Sequence, residues 1–218
     1  MTEYSYKYYD PLEQMMPARH QYISQMIKKN ENLDLNEYLN NKTILDLGCG
    51  TGSFLSNYKD IAKLCTGVDT LDFFFKEQGS RLKLIKNNLE SFLIKNKKRY
   101  DVIFLFEVIE HLDQRVKINL FKLIKKSLNK NGYIFFSTLN NNKISKFLSI
   151  NIAENIFKLL PKNTHDSKLF ISPNEIQKLC LKNSLKIIDI SGLIYNPIIK
   201  TFSISKFSLV NYIGAIKN

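Results

Sequence analysis

The sequence has no tryptophan and only three cysteines, five prolines and eight glycines in 218 residues. Cys49, Cys65 and Cys180 are too few and too scattered for the disulfide framework of a small secreted protein, and no C-x-x-C pair suggests a zinc site. We therefore expect reduced thiols, most of them buried. Because no stretch rich in proline, glycine and serine divides the chain, a single domain is predicted.

Long hydrophobic runs are also missing. No apolar run approaches the ~18 residues of a membrane-spanning helix. The first ten residues carry acidic side chains, where a signal peptide would have a basic segment followed by a long apolar stretch. These features predict a cytoplasmic protein or one that lies at the periphery of a membrane.

Arginine is scarce in a strongly basic chain. The formal net charge is +12, yet arginine occurs only four times and the other 28 cationic residues are lysine. Such a charge is compatible with a nucleic acid or an anionic membrane as partner, but a genome poor in G and C produces the same lysine bias without any partner. Because the lysines are dispersed and lack interleaved aromatic residues, no nucleic-acid partner is predicted.

Strand-like segments alternate with amphipathic helical patterns along the chain. The strand-like segments are short, nearly continuous apolar runs of the kind found in a parallel sheet that helices cover on both faces. Asp113 is the predicted N-cap of one helix, and Ser172 and Glu175 form the predicted capping box of another. The predicted strands cover residues 43–47, 64–69, 82–86, 101–106 and 133–138, followed by a late pair at 185–191 and 208–216 for which an antiparallel arrangement is one option.

The segment ILDLGCGTG runs from a buried strand into a glycine-rich loop. Its glycines allow the backbone to turn tightly and to approach a ligand, and the spacing is G-x-G-x-G rather than the G-x-G-x-x-G of dinucleotide-binding folds. Together with an acid two residues before the first glycine, this loop resembles motif I of class I methyltransferases that use S-adenosyl-L-methionine. In such folds the acid that ends the second strand binds ribose, and the residues after the third strand contact adenine. The predicted cofactor-binding residues are Asp46, Gly48, Gly50, Asp69, Asn88 and Leu89.

Two glutamates and a histidine follow the fourth predicted strand, in FEVIEHL. If a helix begins here, Glu107, Glu110 and His111 share one face at the carboxyl end of the sheet, where ligands bind in open α/β sheets. Two carboxylates and an imidazole can hold a divalent cation such as Mg²⁺. His111 can instead act as the general base for a phenolic proton, and packing of the loop is a third interpretation; all three stay open.

Further segments make the chain resemble the O-methyltransferases of ubiquinone biosynthesis, from about Tyr8 to the C terminus. These segments are FFSTLNNN (135–142), LLPKNTHDSKLFISPNE (159–175), GLIYNPIIKTF (192–202) and VNYIGAIKN (210–218). The resemblance implies an α/β, Rossmann-like class I methyltransferase fold, with a seven-stranded sheet, helices on both faces and a helical insert before the last strands. We divide the single domain into an N-terminal helical segment (1–40), a cofactor core (41–139), a helical insert or lid (140–182) and C-terminal strands (183–218).

The resemblance also implies functional residues and an activity. The family's cofactor contacts correspond to Arg19, Gly48, Asp69 and Phe106, and its glutamate–glutamate–histidine trio is linked to a divalent metal in the mitochondrial members. The implied reaction is O-methylation of 2-polyprenyl-6-hydroxyphenol and 3-demethylubiquinol, with other enzymes of quinone biosynthesis as candidate partners. S-adenosyl-L-methionine is the expected cofactor, and Mg²⁺ is an optional second one.

The chain departs from the family pattern near its N terminus. The family's paired tryptophans are replaced by Tyr8 and Tyr9, and Glu13 and Met16 stand where histidine and asparagine are usual. The segment before Leu12 and the helix after Asp69 are shorter than usual. These departures border the predicted pocket, so they bear on its shape and on activity.

Residues 143–162 offer a means of reaching a substrate that resides in a bilayer. Apolar residues at i+4 steps from Ile144 to Leu160 form a stripe, and lysines lie at both ends. The pattern predicts an interfacial helix on an anionic membrane surface, which would make the protein peripheral to the inner membrane. A lid helix over the active site is an equal alternative. His165 and Asp166, just beyond this stretch, are interpreted as a loop pair rather than as substrate contacts.

The expected chemistry is an in-line displacement in which a phenolate oxygen attacks the sulfonium methyl group and S-adenosylhomocysteine leaves. A free phenol titrates near pH ~10, so a base such as His111 or a bound metal must raise the phenolate fraction. Two alternatives stay open. One is a methyltransferase for RNA or for another phenol, and the other is a cofactor-deficient binding protein that retains the fold.

Overall fold

The computed structural model describes residues 13–71, 79–145 and 167–218. The helices are α1 (Met16–Glu31), α2 (Leu35–Leu39), α3 (Ser53–Ser56), α4 (Leu89–Lys95), α5 (Gln114–Ser127) and α6 (Pro173–Lys182), and two 3₁₀ turns cover Ile109–His111 and Ser167–Leu169. The strands are β1 (Thr43–Leu47), β2 (Leu64–Asp69), β3 (Leu82–Lys86), β4 (Tyr100–Phe106), β5 (Leu128–Leu139), β6 (Lys186–Asn196), β7 (Thr201–Ser205) and β8 (Asn211–Lys217).

The strands form one mixed sheet in the order β3-β2-β1-β4-β5-β8-β6-β7. Strands β1 to β5 are parallel, β8 is antiparallel to β5 and β6, and β7 is antiparallel to β6. The chain reverses its direction of travel across the sheet after β3, because β4 returns to the other side of β1. This reversal opens a crevice beyond the carboxyl ends of β1 and β4, which is where ligands bind in such sheets.

Apolar residues on the two faces of the sheet form two separate cores. Ile44 of β1 contributes to the core beneath α1, α2 and α3, whereas its neighbours Leu45 and Leu47 face the core that α4, α5 and α6 cover. This alternation is the period-two geometry of a strand buried on both sides. It confirms the α/β fold with helices on both faces.

Local signals placed several elements correctly. The bounds predicted for the first three strands match β1, β2 and β3, and the late strands β6 and β8 pair antiparallel. Asp113 caps α5 by accepting a hydrogen bond from Val116 N (2.9 Å). Ser172 and Glu175 form the predicted capping box of α6. The three cysteines are free and buried, as expected.

The sheet has eight strands where seven were expected. The additional strand is β7, an edge strand that pairs with β6 and alternates between exposed and half-buried residues. Its sequence, TFSIS, has too few apolar residues to stand out from a loop, because only one of its faces packs against the protein. Among the described residues, no helix combines the length and the apolar character that a bilayer crossing would require.

Candidate active site

The glycine-rich loop lies at the carboxyl end of β1 and is folded in left-handed conformations. The φ angles of Gly48, Gly50 and Gly52 are 82°, 54° and 81°, a region that side chains strongly disfavour. A Cβ atom on Gly48 would also lie 2.3 Å from Val108 Cγ2. The glycines are therefore required both by backbone conformation and by the close approach of the loop after β4.

A cavity of about 420 Å³ opens between this loop and the carboxyl ends of β2 and β4. Most of the residues predicted from the sequence line it together. These are Arg19, Asp46, Gly48, Gly50, Asp69, Asn88, Leu89, Phe106, Glu107 and His111. Glu110 is the one predicted site residue that does not line the cavity.

Asp69 and Asn88 are held in place by backbone amides at one end of the cavity. Asp69 accepts hydrogen bonds from Gly50 N at 2.9 Å and from Leu71 N at 3.0 Å. Asn88 Oδ1 caps α4 by accepting hydrogen bonds from Glu90 N and Ser91 N. A carboxylate oxygen can accept more than one hydrogen bond, so Asp69 keeps capacity for the hydroxyl groups of a ligand.

Arg19 enters the other end of the cavity from α1. Its guanidinium carbon lies 4.8 Å from the centre of the Phe106 ring, and Nη2 lies 3.6 Å from Glu107 Oε1 and 3.3 Å from Met15 Sδ. Its Nε is buried and has no hydrogen-bond partner within the described ranges. Burial lowers the pKa of Arg19, whereas the carboxylates of Glu107 and Asp46 act in the opposite direction.

Asp46 lies in β1 beneath the glycine loop and is buried. Burial raises the pKa of its carboxyl group to about 7; Asp69 adds to this shift, and Arg19 opposes it. The carboxyl group of Asp46 therefore changes charge near neutral pH. A cation bound in the cavity would favour its ionised form.

Glu107 adopts a strained backbone conformation directly after β4. Its φ angle is 53°, which is uncommon for a residue with a side chain and occurs preferentially at functional sites. Glu107 N donates to Ser137 O at 2.9 Å, and Oε1 accepts a hydrogen bond from Ser137 Oγ at 2.6 Å. Contacts with β5 thus hold Glu107 in this conformation and direct its carboxylate toward Arg19.

The expectation that a helix places Glu107, Glu110 and His111 on one face is wrong. The left-handed backbone conformation of Glu107 is incompatible with an α-helix that begins directly after β4. Only a 3₁₀ turn follows, from Ile109 to His111. The side chain of Glu110 is fully buried, and its Oε2 accepts a hydrogen bond from Thr138 Oγ1 at 2.8 Å. Burial and the neighbouring Glu107 raise the pKa of Glu110 well above its usual value.

This arrangement does not fit the predicted Mg²⁺ site. A hard divalent cation needs several oxygen ligands that converge on one point, with room for water. Glu110 is instead fully buried and does not line the cavity that Glu107 and His111 line, although its carboxyl group contacts that of Glu107. Within residues 13–71, 79–145 and 167–218, no group of three or more acidic, histidine or cysteine side chains is arranged to hold a metal ion.

His111 lies at the mouth of the cavity, next to Glu107. Partial loss of water around its ring lowers the pKa of His111 below the usual value, whereas the negative charge of Glu107 has the opposite effect. The imidazole is therefore mainly neutral at pH 7 and can accept a proton. Once protonated, it would be stabilised by the carboxylate of Glu107.

Sequence reasoning missed the two residues that position the glutamates, Ser137 and Thr138. They are fully buried polar residues at the carboxyl end of β5, and Ser137 pairs with Phe106 across the sheet. Polar side chains at the end of an otherwise apolar strand were the available signal. Other predicted features, namely Tyr8, Tyr9, His165, Asp166 and most of the stretch 143–162, lie outside the described residues.

Comparisons with known proteins point to one family. A family model described as a methyltransferase domain matches residues 18–189. The ubiquinone biosynthesis O-methyltransferase of Aliivibrio fischeri (strain MJ11) is 33% identical over 212 residues, which is 94% of this chain and 86% of that protein. The enzyme of the same name from Nitrosospira multiformis is 30% identical over 216 residues, covering 96% and 85% of the two chains.

Solved structures show the same fold at low sequence identity. The plantazolicin methyltransferase BamL, whose structure contains S-adenosylhomocysteine, gives a TM-score of 0.71 at 13% identity over 99% of this chain and 90% of that chain. The magnesium protoporphyrin IX methyltransferase of Synechocystis PCC 6803 gives 0.63 at 13% identity over 100% and 88%. With its glycine loop and pocket at the carboxyl edge of the sheet, the chain belongs to the methyltransferase domain family and, within it, to the ubiquinone biosynthesis O-methyltransferases.

Proposed function

We propose that the protein transfers a methyl group from S-adenosyl-L-methionine to a phenolic oxygen of a polyprenylated phenol or catechol in ubiquinone biosynthesis. The observation that carries this proposal is the single cavity shared by the glycine loop, Asp69 and His111. It places residues suited to a nucleoside cofactor beside a neutral imidazole. Residues suited to both requirements of O-methyl transfer, binding of a methyl donor and acceptance of a proton, thus line one pocket.

The residues present fit the cofactor. Asp69 offers a carboxylate for ribose hydroxyl groups, the backbone after β3 at Asn88 and Leu89 faces the same cavity, and the glycine loop leaves its backbone open to close approach. Asp46 and Arg19 provide opposite charges for the amino and carboxylate groups of the methionine portion. When bound, the cofactor supplies the electrophilic sulfonium methyl group.

His111 is proposed to remove the phenolic proton. A free phenol titrates near pH ~10, so at neutral pH it needs a base to become a nucleophilic phenolate. The neutral ring of His111 is the proton acceptor at the cavity mouth, and Glu107 stabilises the imidazolium that results. Because holding two reactants in line contributes much of the acceleration in such transfers, the cavity walls matter as much as the base.

The lining of the cavity suits an aromatic substrate. Beside the polar groups, its wall contains apolar side chains, which can contact the faces of a phenol ring. They include Met16, Phe54, Leu71, Val108, Leu112, Val116 and Leu120. A polyprenyl tail would extend from the ring toward the cavity mouth.

We also propose the division of the domain given above, with residues 140–182 as an insert or lid. Its stretch 143–162 would rest on an anionic membrane surface and make the protein peripheral to the inner membrane, in reach of other quinone-biosynthesis enzymes. Only the first residues of this stretch lie within the described part of the chain, where Ile144 is half exposed. The support for this proposal is therefore the sequence pattern.

The test is transfer of a labelled methyl group from S-adenosyl-L-methionine to a short-chain demethylubiquinol. We expect transfer by the wild-type protein and a loss of about 10²-fold or more in His111→Gln, with cofactor affinity nearly unchanged in a calorimetric titration. The wild-type rate should fall as the pH drops below the pKa of His111, because the imidazolium cannot accept a proton. His20→Gln, outside the cavity, is the matched control.

Contrary results have distinct meanings. If the wild-type protein binds the cofactor but methylates RNA and no phenol, the proposed substrate class is wrong. If it does not bind the cofactor at all, the chain is a binding protein that has kept the fold. An unchanged rate in His111→Gln would remove the proposed base while leaving the substrate class intact.

A further inference from the structure

Exposed apolar side chains are concentrated in one segment of the chain. Of the ten large apolar residues exposed in the described part of the chain, five lie within residues 194–209. They are between 45% and 88% exposed and form what we call the hairpin patch: Ile194, Ile198, Ile199, Phe207 and Leu209. Single exposed apolar residues are ordinary, whereas a cluster of this kind marks a contact surface.

The hairpin patch extends beyond the edge of the sheet that carries the pocket. Leu139 at the carboxyl end of β5 pairs with Asn211, and Asn211 pairs with Leu193 of β6. Strand β6 runs parallel to β5 and continues past this level to Asn196, where the turn to β7 begins. Three strand spacings, about 14 Å, separate β6 from β4, which borders the pocket.

The turn at the tip of the hairpin presents two isoleucines outward. Asn196 Oδ1 accepts hydrogen bonds from Ile198 N (3.0 Å) and from Ile199 N (3.4 Å), so these backbone amides are satisfied within the turn. Ile198 is 88% exposed. A turn whose amides are already bonded can bury its side chains in an apolar medium without leaving polar backbone groups unpaired.

The loop from β7 to β8 adds a further exposed apolar side chain, that of Phe207, at the level of Gly192 on β6 rather than at the tip. To reach β8, the loop crosses β6 at Gly192, where a Cβ atom would lie 1.9 Å from Phe207 O. This crossing fixes Phe207 on the surface. Asn142 Nδ2 donates to Leu209 O at 2.8 Å, which joins the loop to the start of the stretch 143–162 and its half-exposed Ile144.

The charged residues in the segment that forms the hairpin patch are all lysine. No acidic residue follows Asp189 in the sequence, whereas Lys200 and Lys206 flank the patch and are exposed. Apolar side chains bordered by lysines match the interface of an anionic bilayer, which takes up the former and attracts the latter. A wholly apolar or a wholly acidic protein surface would account for only one of these two features.

We infer that the hairpin patch, with Lys200 and Lys206, docks the protein on an anionic lipid surface and places the pocket mouth toward the bilayer. The inference rests on the proposed function in one respect, namely that a substrate with a lipid tail is the reason for the protein to contact a bilayer. The contact consists of the β6–β7 hairpin and the loop to β8, and it adjoins the start of the stretch 143–162 through Asn142.

The test is sedimentation of the full chain with vesicles of phosphatidylcholine, alone or mixed with phosphatidylglycerol. We expect binding to the mixed vesicles, reduced about tenfold or more in Ile198→Ser/Ile199→Ser because less apolar surface enters the bilayer. Lys200→Glu/Lys206→Glu should reduce binding to the mixed vesicles by about tenfold and abolish most of its dependence on salt.

Matched controls are Leu181→Ser and Ile94→Ser, since these residues are 70% and 66% exposed but lie outside the hairpin patch. Both should bind vesicles like the wild-type protein. All variants should keep the wild-type melting temperature and the wild-type rate on a water-soluble short-chain phenol. Absence of that rate in the wild-type protein would overturn the proposed function and leave the vesicle result standing.

Three outcomes would overturn the inference. The first is that the wild-type protein does not bind the mixed vesicles. The second is that the hairpin variants bind as well as the controls, which would make another segment responsible. The third is that the hairpin variants change the oligomeric state in solution while vesicle binding is unaffected. In the last case the hairpin patch is an interface between copies of the chain.

Discussion

Arg19 Nη2 lies 3.6 Å from Glu107 Oε1, and the two side chains are only 7% and 12% exposed. One residue comes from the first helix of the described chain and the other from the loop after β4. This ion pair therefore connects α1 to the loop after β4 at the wall of the cavity. Ser137 and Phe106 complete its surroundings through a hydrogen bond to Glu107 and ring contact with Arg19.

Arg19→Ala should lower both stability and cofactor affinity. Removing one partner of a buried pair leaves the other charge without compensation, which costs about 3 kcal/mol in the free energy of unfolding. Chemical denaturation measures this loss, and calorimetric titration with S-adenosylhomocysteine measures the affinity. Arg115→Ala, at an exposed position of α5, should change neither. Equal effects of the two substitutions would contradict the assigned role of Arg19.

Gly48→Ala should destabilise the glycine loop for two separable reasons. The φ angle of 82° disfavours any side chain, and the new Cβ would meet Val108 Cγ2. We expect a loss of about 2 kcal/mol or more, of which Val108→Ala recovers the steric part in a double-mutant cycle. Gly79→Ala is the control, because a Cβ there meets no atom within 4 Å. Additive effects of Gly48→Ala and Val108→Ala in denaturation would rule out the steric contribution.

Cofactor affinity should rise with pH through neutrality because Asp46 ionises near pH 7. Its carboxyl group, with a pKa of about 7, becomes negative as the pH rises and then attracts the cationic groups of S-adenosyl-L-methionine. In Asp46→Asn the affinities at about pH 6 and about pH 8 should be much closer to each other. Titration calorimetry tests this, with Asp34→Asn, at an exposed site, as the control.

The same group makes the stability of the protein depend on pH, with a definite sign. The pKa of Asp46 is higher in the folded chain than its ordinary value of 3.8, so between about pH 4 and about pH 7 the folded state binds more protons than the unfolded state. The free energy of unfolding should therefore fall as the pH rises through this range. Asp46→Asn should be stabilising above pH ~7 and nearly neutral at pH ~4; a gain confined to low pH would contradict the shift.

Local patterns were sufficient for the sheet core but not for the geometry after β4. Strands β1 to β3 were predicted with correct bounds because a strand buried on both faces is an apolar run that ends abruptly at polar residues. The left-handed conformation of Glu107 depends on Ser137, which approaches only when β4 and β5 pair. The proximity of Arg19 and Glu107 likewise arises from tertiary packing, and a helical periodicity rule could not foresee either feature.

Glu110→Gln should distinguish a packing role from a metal-ligand role. The carboxyl group is fully buried, its pKa is raised well above the usual value, and Thr138 Oγ1 donates to Oε2. Glutamine is uncharged, keeps an oxygen acceptor for Thr138 and fits the same space, so we expect wild-type methyl transfer and equal or greater stability at neutral pH. Glu107→Gln, in contrast, removes the partner of Arg19 and should lower both activity and stability.

The comparison is made by denaturation and by methyl transfer with and without added Mg²⁺. If Glu110 were a metal ligand, its amide substitution should weaken metal binding and reduce the response of the rate to Mg²⁺, as should Glu107→Gln.

Thr138→Val provides the matching control, because it removes the donor of the hydrogen bond to Glu110. It leaves a buried carboxyl oxygen without a donor, so it should cost about 1 to 3 kcal/mol in the wild-type background, since an unsatisfied buried polar group carries its full desolvation penalty. Loss of this cost in the Glu110→Leu background would assign the effect to that one contact.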